Sequence, residues 1–202
     1  VDGGTLAVRV GGSDWATGDV DTLLANVTKT SGGFGIDTAN GDLTQWTAFT
    51  PANLGVLALT KLGDNALILN QANTYTGPTV VVGGSLRLTD PDAIAASSAL
   101  NLRNGAKLEL RSDADTTFNT PGNGSTSFAT LVDHPNATVT VDVGGNGAGS
   151  GNTLTLGGGI GIREGSWLVR RSVVAINGAD GNTRSFNYGA GMLIDGGTHR
   201  FE

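Results

Sequence analysis

Two pairs of carboxylates stand two residues apart, Asp90 with Asp92 and Asp113 with Asp115. On a strand, that spacing puts both groups of a pair on one face. Such pairs do acid–base work on glycosidic bonds or hold Ca2+. Their surroundings point to turns: Asp92 follows Pro91, and Asp113–Ala114–Asp115 follows Arg111–Ser112 at the start of a loop, positions where a carboxylate caps main-chain groups. The two histidines, His134 and His199, lie far apart in the chain. A Ser–His–Asp set could be drawn from Asp133, His134 and any of many serines, but the G-x-S-x-G turn that presents such a serine is absent. Both histidines read as surface-loop residues.

The segment Gly144–Asn152 is glycine-rich and resembles one copy of a calcium-binding nonapeptide. That motif needs a series of copies with an Asp, and here a single copy ends on Asn152. A phosphate cradle would need a Lys after the glycines, and none follows. The segment reads as a corner loop. Trp15, Trp46 and Trp167, with Tyr75 and Tyr188, are of the type that stacks on sugars, but their wide spacing makes core or corner packing the expectation. The N-x-[ST] triplets at Asn26, Asn123 and Asn136 are ordinary in so Thr- and Asn-rich a chain. No catalytic, cofactor-binding or metal-ligating residue is assigned, and no cofactor is expected.

The elements that must position these residues are short strands. Leu57, Leu59 and Leu86, Leu88 alternate with other residues, while Leu67–Ile68–Leu69 and Val80–Val81–Val82 run together. Short apolar runs bounded by Gly, Asp and Asn signal strands. Gly63–Asp64–Asn65, Gly83–Gly84 and Asn104–Gly105 supply tight turns. The strand starts near Ala58, Val80 and Ala99 are about twenty residues apart, the step of a stacked solenoid turn. Further strands are expected at 128–132, 137–143, 152–156, 160–163, 167–176, 184–188 and 192–194. About ten turns would make a rod of about 45–50 Å. Two short helical turns are expected, one capped by Asp21 and carrying Leu23, Leu24 and Val27, the other capped by Asp90 or Asp92 over Ala93–Ala96.

Composition agrees. Of 202 residues 33 are Gly, about twice the usual share, as many turns require. Charged residues make up 15 % and the net charge is −6. No basic cluster exceeds Arg170–Arg171, which argues against nucleic acid and anionic lipid as partners. No run approaches the ~20 apolar residues of a membrane helix. Without cysteine, disulfides, thiolate metal sites and Cys nucleophiles are excluded. The start at Val1, without Met or a signal-like stretch, suggests a piece of a longer protein.

From Leu57 to Leu88 one order of residues stands out: Leu59, Thr60, Lys61, Gly63, Leu67, Leu69, then Asn73–Thr74–Tyr75–Thr76–Gly77, then Thr79, Val81, Gly84, Leu86 and Leu88. It resembles the autotransporter-associated β-strand repeat of large bacterial surface proteins, with Pro78 where many such repeats have Gly. The resemblance implies a right-handed parallel β-helix, an extracellular or cell-surface location, and no reaction.

The expectation is a single all-β segment over 1–202, a parallel β-helix with turns of about twenty residues, with a β-sandwich as the alternative. Its role would be structural and non-enzymatic, in adhesion, surface coating or filament assembly. A polysaccharide lyase or hydrolase on the same fold and a calcium-dependent adhesin module are the alternatives. Copies of itself end to end, or other surface components, are the expected partners. Neither terminus reads as a cap: Val1–Val10 and Thr198–Glu202 look like ordinary strand.

Overall fold

In a computed structural model, residues 3–103 and 105–121 are described in full, and beyond them the backbone of seven strands. The first sheet contains, in spatial order, β1 (Thr5–Arg9), β2 (Gly33–Asp37), β4 (Ala58–Leu62), β6 (Thr79–Val81), β8 (Leu100–Leu102), β11 (Thr130–Val132), β14 (Ile160–Ile162) and β17 (Met192–Ile194). The second runs β15 (Val173–Val174), β12 (Thr140–Gly144), β9 (Lys107–Arg111), β7 (Ser85–Leu88), β5 (Ala66–Leu69) and β3 (Leu43–Gln45). A third holds β10 (Thr116–Phe118), β13 (Asn152–Leu156) and β16 (Arg184–Tyr188). Every pairing is parallel, and each strand pairs with one a full turn away rather than with its neighbour in sequence. That is a parallel β-solenoid, and it excludes the sandwich.

The turn length is less regular than the central repeat suggests. Leu59 pairs Thr79 and Thr79 pairs Leu100, steps of 20 and 21 residues. Before them Thr5 pairs Gly33, a step of 28. After them Leu100 pairs Thr130, a step of 30, and Ile160 pairs Met192, a step of 32. Larger turns mean fewer of them. The first sheet has eight strands, about 34 Å of stack, shorter than ten turns of twenty would give.

Inward side chains form ladders along the stack. In the second sheet Leu43, Leu67, Leu86 and Leu108 share one register, and Gln45, Leu69, Leu88 and Leu110 the next. The leucines are almost completely buried, and each such side chain contributes about 1.5–3 kcal/mol. In the first sheet Val8, Ile36, Lys61, Val81 and Leu102 make one ladder, and Phe34, Leu59, Thr79 and Leu100 another. Two polar residues, Lys61 and Thr79, thus stand in otherwise apolar columns.

One helix, α1 (Thr17–Asn26), interrupts the strands. It starts four residues before Asp21. Ala16 is its N-cap and offers no side-chain acceptor; instead the Asp19 carboxylate accepts the Ala16 N–H at 2.9 Å, a charge well placed at a helix N-terminus. Val20 and Leu24 are buried. The Thr17 hydroxyl donates to the Thr44 carbonyl at 2.7 Å. Asp21 accepts from Gln45 Nε2 at 2.9 Å and from the Thr47 hydroxyl at 2.6 Å. β3 ends its sheet, so α1 covers an edge that would otherwise present unpaired main-chain groups. β1 itself is an ordinary strand at the end of the first sheet, as expected, and α1 covers only the end of the second.

Over Pro91–Ala96 there is no helix. Ala93, Ala95 and Ser97 donate to Asp90, Asp92 and Ile94, three residues back. Successive turns of this kind never reach the four-residue repeat of an α-helix.

Candidate functional site

The central repeat holds the densest set of polar side chains in the described core. Residues 73 to 79 alternate strictly, with Asn73, Tyr75, Gly77 and Thr79 buried and Thr74 and Thr76 exposed. Asn73 Oδ1 accepts the Phe49 N–H at 2.6 Å from the preceding turn, and its Nδ2 donates to Ala93 O at 2.7 Å in the following one. One amide side chain therefore bridges three turns where the main chain leaves the sheets.

Tyr75 is fully buried, its ring edge-on to Phe49 with centroids 6.2 Å apart. Its hydroxyl bonds the Thr79 hydroxyl, which lies 2.9 Å from Ser97 Oγ. Ser97 in turn reaches Gly77 O at 2.9 Å and Ala99 O at 3.0 Å. The chain of hydroxyls ends on main-chain carbonyls. Burial pushes the Tyr75 pKa up to about 12, against the hydrogen bonds from Thr79 and Ser97.

Lys61 has no exposed surface. Its ammonium donates to Leu62 O at 2.7 Å, Gly63 O at 2.8 Å and Gly83 O at 3.0 Å, so it ties the corners of two turns together. Burial lowers its pKa to about 8, and Asp37, Asp64 and Asp42 hold it from falling further. A lysine in this state is a nucleophile in many enzymes. Here all three of its donor directions are spent on carbonyls.

Glu109 is also nearly buried, on the outer face of its sheet. Arg87 Nε donates to it at 2.7 Å across the register and Arg111 at 3.3 Å along the strand. Burial alone would raise its pKa. Hydrogen bonds from Ser85 and Arg87 and the charges of Arg87 and Arg111 outweigh that and hold it below the usual carboxylate range.

These three groups set the pH profile of stability. Between about 8 and 10.5 the unfolded chain keeps the Lys61 proton that the folded chain has lost, so stability rises with pH there. Tyr75 acts in the opposite sense. Its contribution is complete below its unfolded pKa of 10.0 and is lost as pH rises toward about 12. The Glu109 contribution is present above the ordinary carboxylate range and is lost as acid protonates the folded form. The expected thermal midpoint therefore drops in acid, climbs from pH 8 to about 10, and drops again toward 12. Melting followed by circular dichroism at fixed ionic strength reads this, and Lys61→Met should flatten the climb alone. A climb that survives Lys61→Met belongs to another group.

The carboxylate pairs are not brought together. Asp90 Oδ1 accepts the Asp92 N–H at 2.8 Å, and Asp92 Oδ1 accepts from Asn119 at 2.6 Å, so both serve turns. Asp113 and Asp115 are exposed, and Arg111 donates to Glu109 at 3.3 Å. Among the described residues no three His, Cys, Asp or Glu are grouped to hold a metal. His134, His199, Trp167, residues 145–151 and the triplets at Asn123 and Asn136 lie outside the described residues, as does the side chain of Tyr188. Asn26 closes α1, its amide donating to Thr22 O.

Of the core or corner positions expected for the tryptophans, Trp15 and Trp46 take the corners, just past β1 and β3. Trp46 is 67 % exposed and Trp15 39 %, so neither is a core residue. Trp46 follows Leu43 and Gln45, which take the inward positions of β3. Two surface depressions share Trp15. One is lined by Ala7, Val8, Arg9 and Asp14, the other by Asp19, Thr22, Leu23 and Asn26.

Comparison with known proteins adds family context. The model of the passenger-associated-transport-repeat family matches residues 59–88, the turn that contains Lys61, Asn73, Tyr75 and Thr79. The adhesin BmaC autotransporter of Brucella suis biovar 1 (strain 1330) is 32% identical over 110 residues. That stretch is 52% of this chain and 3% of the adhesin, so the chain spans a small fraction of that relative's length. No solved structure matches.

Proposed function

Because residues 59–88 are an autotransporter-associated repeat, we propose that this chain is a segment of a bacterial surface passenger, an adhesin-like rod that does no chemistry of its own. The observation that carries this reading is the use of the repeat's polar residues. Lys61, Asn73, Tyr75 and Thr79 all face inward and bind main chain or one another. They leave no open nucleophile or acid–base pair in that turn. What they support is a rigid stack, and its outside meets other surfaces. The similarity to an autotransporter adhesin supports placement outside the cell and contact with host or matrix components. Growth into a filament by end-to-end stacking is less well supported, since α1 already covers the outer edge of β3.

Surface labelling tests the reading. The chain has no cysteine, and Val56 is 68 % exposed. In the intact parent protein, Val56→Cys should react with a membrane-impermeant maleimide on whole bacteria as fully as in a lysate. Labelling that appears only after the cells are broken would overturn the surface placement. A parent lacking this segment should reach the surface but bind less to host cells; unchanged binding removes the adhesin-like role.

A further inference from the structure

We propose that the cleft around Trp15 is a saccharide-binding subsite that takes a neutral oligosaccharide of at least two sugar units across the indole. Main-chain bonds hold Trp15 in place. Its N–H donates to Arg9 O, its carbonyl accepts the Gly11 N–H at 3.2 Å, and Val10 and Trp15 form a parallel bridge. The backbone of Trp15 therefore sits in the track that a strand next to β1 would follow, and it stops such a strand at Val10. The side chain is left standing between two depressions, partly exposed, at a point where the main chain is fixed.

Indole offers a flat apolar face, which suits the C–H face of a pyranose ring, and the ring's hydroxyls then need polar partners at its rim. Such partners stand on both sides. Arg9 and Asp14 line one depression; Asp19, Thr22 and Asn26 line the other. Several are already oriented by internal bonds that leave an atom to spare. Asp14 Oδ2 accepts from Asn40 at 2.6 Å, Asp19 Oδ2 caps α1, and Asn26 Nδ2 donates to Thr22 O. Groups held this way lose little side-chain entropy on binding. Two carboxylates against one guanidinium disfavour sulfated or other anionic sugars. An extended peptide fits less well, because it would run along β1, fill one depression and meet Trp15 end-on. Trp46, the other exposed tryptophan among the described residues, borders neither depression and serves as the control.

The test uses the purified parent protein and three probes: cellohexaose, maltohexaose and chitohexaose, titrated by calorimetry and by saturation-transfer NMR. At least one should bind saturably. Trp15→Ala should weaken it by about tenfold or more, the loss of one stacking contact. Trp15→Phe should bind within a few-fold of wild type, and Trp46→Ala should bind as wild type, with far-UV spectra unchanged in each. Failure of all three probes at about 10 mM, in the weakest range of specific affinities, would overturn the proposal. So would equal binding by Trp15→Ala, or equal loss in Trp46→Ala. Binding of a synthetic peptide copy of residues 31–39, the strand that pairs with β1 on its inner side, without any sugar binding would assign the cleft to a polypeptide. The outcome is independent of the surface-labelling result, since binding is read on purified protein.

Discussion

Replacing Gly77 by alanine is expected to cost about 3 kcal/mol or more, at or beyond the upper end for overpacked sites. A Cβ at Gly77 would lie 2.0 Å from Leu57 O and 2.6 Å from Val56 O. Both are main-chain atoms of the turn below and cannot swing aside as a side-chain tip can. The two turns must separate at that corner, and the bond from Ser97 Oγ to Gly77 O opens with them. A urea titration should show a lower midpoint with little change in slope. Gly4→Ala is the matching control. A Cβ there meets nothing within 4 Å and φ is not positive, so a change within about 0.5 kcal/mol is expected. A Gly77 variant as stable as wild type would mean that the turns are not in contact at this corner.

The second large effect lies at Tyr75. Tyr75→Ala removes a fully buried ring and its edge-on contact with Phe49, and should cost about 3–5 kcal/mol. Tyr75→Phe keeps the ring and deletes only the hydroxyl. Thr79 retains Ser97 as a partner, so a loss of about 1 kcal/mol is expected. Equal losses in the two variants would place the stabilisation in the hydroxyl chain rather than in ring packing. The phenylalanine variant should also lose the decline in stability between pH 10 and 12, which links it to the titration described above.

Much of the fold is written in the turn residues and in the repeat between Leu57 and Leu88. Along each strand parity, not hydropathy, decides which residues face inward. Leu59 faces inward, so two residues on Lys61 must also face inward, although Leu62 is the more apolar of the pair and sits outward of it. Leu43 and Gln45 face inward on β3, and this sends Trp46 out to solvent. In each case the buried polar residue lies near a corner, where main-chain carbonyls or Asp21 of α1 accept its N–H groups. Counting by twos from the leucines finds both.

The start of α1 was hidden for another reason. Its N-cap is Ala16, a residue with no capping oxygen, and the signal sits three residues later in Asp19. The longer steps after Leu102 were hidden because the sequence between the paired strands is rich in Gly, Asn and Thr and has no apolar period. The cleft at Trp15 had one legible sign, a tryptophan within a Gly-, Ser- and Asp-rich stretch, but its depressions arise from β1 and α1 being brought together by the fold.

The neighbour-only pairing of turns has a mechanical consequence. Tension applied along the stack acts on the bonds between one turn and the next, and those bonds break one turn at a time. A turn of 20 residues, such as Leu59 to Thr79, occupies about 4.8 Å of the stack when folded and pays out about 70 Å when drawn straight. A surface rod built this way lengthens more than tenfold locally before any covalent bond bears the full load, and it rewinds from the intact turn below when the load is released. Lys61 and Asn73, which bridge adjacent turns through side chains, mark where that peeling meets its greatest resistance.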